Sequence, residues 1–144
     1  FMTAHPGGTP PALVHNLRHN KVLHEHVVVL MVRTQPIPYV DAASQVEIRS
    51  FGLGIHNVVV SYGFMQDPDV PGALALARQH GLPGGTDDVT YFLGRETIVV
   101  TQAQGMALWR ERLFALMSKN AVRATAFFRL PLEQVVELGV QVEI

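Results

Sequence analysis

The apolar pattern of this 144-residue chain points to a single α/β domain: one mixed β-sheet with two hairpins and three to four helices flanking it. Three observations carry that expectation. The run Val27-Val28-Val29-Leu30-Met31-Val32 is continuously apolar and β-branched, as in a strand buried on both faces beside parallel neighbours. Segments 46–51 and 55–62 lie either side of Gly52-Leu53-Gly54, and the first alternates apolar with polar, as in a hairpin with one wet face. Within 106–118, Met106, Trp109, Leu113, Leu116 and Met117 recur at helical spacing inside an arc of about 100°.

Taken in order, Phe1-Met2-Thr3 reads as the tail of a strand, followed by a Gly7-Gly8 loop. Thr9-Pro10-Pro11 supplies an N-cap with prolines where a first helical turn tolerates them, so a short helix over 11–19 is expected, with Asn20 as its stop. Strand, helix, strand then opens the fold, with a right-handed crossover. Beyond the hairpin, Asp69 and Pro71 start a second helix through Ala73-Leu74-Ala75-Leu76-Ala77, and Gly81 ends it at a left-handed position. Segments 89–93 and 96–100 flank Gly94-Arg95, which suits a type II′ turn and predicts a second hairpin with Arg95 at its tip. The 106–118 helix leaves Leu108 and Phe114 outside its arc, so it is buried on more than one side or offers apolar area to another surface. A further turn through 125–128 stops at Pro131, and a closing strand with strict alternation from Leu138 completes the chain.

Composition narrows the function classes. With 48% hydrophobic and 16% charged residues the chain carries enough apolar area for a packed core, which excludes intrinsic disorder. The 27–32 run falls far short of the roughly 20 residues that span a bilayer. Zero cysteines remove disulfides, thiolate metal sites and cysteine nucleophiles. A net charge of −1 argues against a dedicated nucleic-acid binder. The charge is uneven, however. Between residues 105 and 131 five basic residues (Arg110, Arg112, Lys119, Arg123, Arg129) stand against one acid, Glu111. A face of that sign suits phosphate, anionic lipid or an acidic partner, and a solvated helix surface is its simpler account.

His15 and His19 stand at the i, i+4 spacing that lets two imidazoles share a cation, with His24, Glu25 and His26 close by. The HExxH pattern is absent, and polar caps between helix and strand explain the cluster better, so neither metal nor cofactor is expected. The glycine pairs do not precede a helix in the GxGxxG arrangement, and Ser44, Ser50, Ser61 and Ser118 occupy no GxSxG elbow. Asp67 and Asp69, and Asp87 with Asp88, sit in turns where capping explains them. No catalytic residues are therefore assigned and the chain is expected not to be an enzyme. Recognition remains, with Asn16, His19, Lys21, Arg95, Arg110, Arg112 and Arg123 as ligand or interface candidates.

Five phrases in order are more specific than any single motif: Pro10-Pro11-Ala12-Leu13 leading to His15-Asn16-Leu17 and His19-Asn20-Lys21-Val22-Leu23-His24-Glu25; Tyr62-Gly63-Phe64-Met65 with Asp69-Val70-Pro71; Tyr91-Phe92-Leu93-Gly94-Arg95-Glu96-Thr97; Trp109-Arg110-Glu111-Arg112-Leu113-Phe114 with Asn120-Ala121; and Val135-Val136-Glu137-Leu138-Gly139. Together they resemble the C-terminal cytoplasmic domain of the bacterial Kup family of potassium uptake transporters, over nearly the whole chain. The resemblance implies a parent with a transmembrane helix bundle that carries potassium inward with protons, and Phe1 ahead of Met2 fits a piece of that longer chain. It also implies a location at the cytoplasmic face of the inner membrane, near the inner leaflet. The implied partners are the transmembrane domain of the same transporter, a second copy in a homodimer, and, as in relatives that sense it, cyclic di-AMP. The main expectation is a regulatory and assembly domain. The alternative is a nucleotide sensor in which basic side chains meet phosphates and Tyr62 or Tyr91 stacks on adenine.

Overall fold

The β-branched run does become an interior strand. The computed structural model describes residues 1–4, 8–85, 88–99 and 124–143. Strands β1 (Met2–Thr3), β2 (Val27–Gln35), β3 (Val46–Gly52) and β4 (Ile55–Gly63) form a sheet in the order β1-β2-β4-β3. β1 and β4 both run parallel to β2, with Met2 opposite Leu30 and Val27 opposite Ile55, while β3 closes one edge antiparallel to β4. The mixed α/β class and the first hairpin are as the sequence implies.

Helix α1 (Pro11–Asn20) links β1 to β2, and helix α2 (Val70–Gln79) follows β4. Because strand side chains alternate, each sheet face takes its own helix. Leu30, Val58, Val60 and Tyr62 pack with Val70, Ala73, Leu74 and Ala77 of α2, and Val58, Val60, Val70 and Ala77 are wholly buried. Val27 and Ile55 belong to a second cluster with Ala12 and Leu13 of α1, Phe1 and Phe92. Removing any of these branched side chains from water contributes about 1.5–3 kcal/mol.

The helix ends explain why these residues form these elements. α1 starts from Pro10, whose carbonyl accepts from Leu13 and Val14 N–H, and not from Thr9, which makes no side-chain cap and lies outside the helix. Its left-handed stop is Lys21, with φ 55°, in place of the expected Asn20. Asn20 stays helical because its side chain donates to Asn16 Oδ1. Asp69 caps α2 by accepting from Gly72 N–H, and Gly81, at φ 100°, ends it as expected. The bonds Leu82 N–H to Ala77 O and Gly81 N–H to Arg78 O are those of a Schellman stop.

The second hairpin is not formed. Gly94 and Arg95 lie inside one continuous strand, β5 (Tyr91–Val99), which pairs in parallel with β6 (Val135–Glu143) from Tyr91 opposite Val135 to Val99 opposite Glu143. Gly94 suits a turn when taken alone, but the pairing that decides the matter, with Leu138, lies about forty residues away in sequence. A short helix α3 (Ala124–Phe127) precedes β6, as the turn expected near Pro131 requires. The expected 106–118 helix lies outside the described residues.

Candidate functional site

Three of the sequence candidates gather at the C-terminal end of α1. Asn16 is 3% exposed, and its amide donates to Val22 O at 3.0 Å while its oxygen accepts from Asn20 Nδ2 at 2.7 Å. Its polar capacity holds the helix end against the following loop. His19 is exposed and its ring stacks on His15 with centroids 5.8 Å apart, so the i, i+4 pair forms on one face. Among the described residues no group of three or more His, Cys, Asp or Glu gathers as a metal cage. Lys21 is exposed next to them.

Arg95 stands apart. It lies within β5 and its Nη1 meets Glu137 Oε2 on β6 at 3.3 Å, with both side chains well exposed. Arg110, Arg112 and Arg123 lie outside the described residues, as do Trp109 and Lys119.

Two features escaped the sequence reading. The first is the end of the sheet where β1, β2 and β4 begin. There the two-residue turn Leu53-Gly54 joins β3 to β4, and its Gly54 O accepts from Val27 N–H at 2.9 Å. Leu53 is 97% exposed at φ 52°, and Phe51, Val22 and Leu23 are exposed at this same end. A type I′ turn asks for positive φ at both central residues and favours Asn-Gly, so a leucine here is strained by about 1 kcal/mol. A Cβ at Gly54 would overlap the Glu25 carbonyl, which shows how closely the 21–26 loop lies against the turn. The only hint in the sequence was a leucine between two glycines.

The second is a cleft of about 330 Å³ between the start of β2, the turn after α2 and the start of β5. Its lining includes Arg78, Tyr91, His24 and Phe92, and Phe92 stacks on Phe1 at 4.5 Å. The two tyrosines proposed for adenine stacking are buried, Tyr62 at 4% and Tyr91 at 6% exposure. Burial pushes both phenols up, opposed by a backbone hydrogen bond with Asp69 at Tyr62 and by the Arg78 charge at Tyr91. Tyr62 Oη donates to Asp69 O at 2.6 Å and accepts from Asp69 N–H at 3.0 Å, which joins β4 to the start of α2.

The described residues thus form a small α/β module with an exposed apolar turn and a cleft lined by both Arg78 and Asp88. The whole chain, residues 1–144, matches the family described as K+ potassium transporter C-terminal domain, and it belongs to that family. Among curated proteins it is 51% identical, along its full length, to the probable potassium transport system protein Kup of Myxococcus xanthus. It is 50% identical to the Kup 2 protein of Rhodopseudomonas palustris strain BisB5 and 49% identical to the Kup 1 protein of Geobacter sulfurreducens, both named in the same way. The chain spans 22–23% of the length of these relatives. No solved structure matches it. Among the described residues no helix is long and apolar enough to cross a membrane.

Proposed function

We propose that this domain is the regulatory and assembly tail of a potassium transporter, seated at the cytoplasmic face of the membrane, and that it acts by docking its β3–β4 tip against the membrane-embedded part of the same protein. In this reading potassium and protons move through that part, and the tail biases it. The observation that carries the reading is Leu53, held 97% exposed at a positive φ beside exposed Phe51. Leaving a large apolar side chain in water in a strained backbone conformation has no benefit to folding, and strain of this sort concentrates where a partner uses it. The names of the relatives support potassium as the cargo.

The test is rubidium uptake by a full-length transporter carrying Leu53→Asn in cells stripped of other potassium systems. Asparagine suits the turn, so the domain keeps its fold and gains a few tenths of a kcal/mol to about 1 kcal/mol. Docking loses its apolar anchor, and uptake or its regulation changes. Unaltered uptake and regulation in this variant, and in a transporter lacking the domain, would sink the reading. Calorimetry of the domain with cyclic di-AMP, ATP and AMP tests the sensing alternative directly.

A further inference from the structure

Arg78, in the last turn of α2, lines the 330 Å³ cleft, and its Nε is buried without a hydrogen-bond partner. Among the described residues it is the sole buried side-chain nitrogen or oxygen left in that state. The ion pairs there are Arg95 with Glu137 and Arg129 with Asp67, so Arg78 has no carboxylate partner among the described residues, although Asp88 lines the same cleft. A buried donor without an acceptor costs about 1–3 kcal/mol, and folded proteins seldom leave one unexplained.

The surroundings say what would complete it. Guanidinium presents Nε–H and Nη–H as a planar fork that fits two oxygens of a carboxylate or phosphate. The walls beside Arg78 are apolar, formed by Leu74, Leu82, Val89 and Phe92. At Gly84 and Gly85 no atom of the described residues lies within 4 Å of where a Cβ would stand. The volume sits at the small end of the roughly 300–1,000 Å³ typical of small-molecule pockets.

We propose that this cleft binds a small organic anion, whose carboxylate or phosphate oxygens take the Nε–H and Nη–H of Arg78 and whose carbon body lies against Leu74 and Phe92. The inference stands on the cleft alone and is independent of the docking of the hairpin tip.

The direct measurement is the Nε–Hε signal of Arg78 in the ¹⁵N-labelled 144-residue chain, assigned by its loss in Arg78→Gln. Benzoate, phenyl phosphate and inorganic phosphate are titrated separately at millimolar concentrations. Benzoate or phenyl phosphate is expected to shift the signal saturably and to raise Tm, and the stronger of the two identifies the anionic group. Inorganic phosphate, lacking the apolar body, binds more weakly. Arg78→Lys keeps the charge without the fork and should weaken binding roughly tenfold or more. An unmoved Arg78 signal with all three probes overturns the proposal. So does binding of equal strength in Arg78→Lys, which would mark a charge-only association.

Discussion

At the scale of single residues, one side chain among the described residues, Gln66, joins two separate segments. Its Oε1 accepts from Val40 N–H at 2.8 Å and from Gly63 N–H at 2.7 Å, and its Nε2 donates to Val40 O at 3.2 Å. One amide thus stands in for a strand neighbour and ties the loop after β2 to the end of β4. Gln66→Ala leaves three backbone groups without partners, two of them on the buried Val40, and should cost about 2–3 kcal/mol. Urea unfolding of the variant measures it, and a loss below about 0.5 kcal/mol would show that water replaces the amide at little cost. Nothing at sequence level distinguished this glutamine, because its partners are backbone groups that only the folded chain brings within reach. The same holds for Lys21. Its left-handed φ is imposed by Asn16, which fixes the following loop through Val22 O, so the apparent stop signal at Asn20 was one residue early.

At the scale of elements, legibility followed how local the deciding interactions were. The first hairpin and the glycine stop of α2 depend on neighbours within a few residues, and the β2 run is marked by its own β-branched composition although its partners β1 and β4 lie 28 residues away, so all three were readable. Strand β5 was not. Gly94 invites a turn when read alone, yet it pairs with Leu138 in a parallel ladder whose register is set by residues 135–143. In that ladder Arg95 meets Glu137, so the cation assigned to a hairpin tip is a cross-strand partner. The side chains are 65% and 39% exposed, and an exposed pair of this kind contributes about 0.2–1 kcal/mol, less in high salt. Arg95→Ala should therefore lower stability by less than about 1 kcal/mol, with the difference from the parent shrinking in 1 M salt. A loss of several kcal/mol that salt does not alter would mean that Arg95 does more than pair with Glu137. The candidate site divides in the same way: the His15–His19 pair follows from helical spacing, whereas the Arg78 cleft joins the end of α2 and the start of β5 to the start of β2, about fifty residues earlier, and left no sequence mark.

At the scale of the whole molecule, the start of the chain belongs to the core. Phe1 is 9% exposed, stacks on Phe92, and its amine donates to Val28 O at 2.8 Å. Burial pushes that amine down from 8.0 to about 6, because the site offers one carbonyl to an ammonium that carries three donors and a charge. The unfolded chain therefore binds the proton more tightly than the folded one. In a chain whose first residue is Phe1, this amine leaves stability full above pH 8, lowers it as pH drops from 8 towards 6, and by pH 6 and below has removed about 2–3 kcal/mol. An acetyl group or a preceding residue at this position supplies a single uncharged N–H, which is what the Val28 carbonyl accepts. Chemical denaturation of the chain starting at Phe1 and of its N-acetylated form, from pH 5 to 9, isolates the effect, since the two differ at that amine alone and everything they share cancels in the difference. The acetylated form should be the more stable by a margin that opens as pH falls. A margin that stays constant with pH would place the amine in water, and with it would go the packing that joins β1, β2 and β5 at the end of the sheet that carries Leu53.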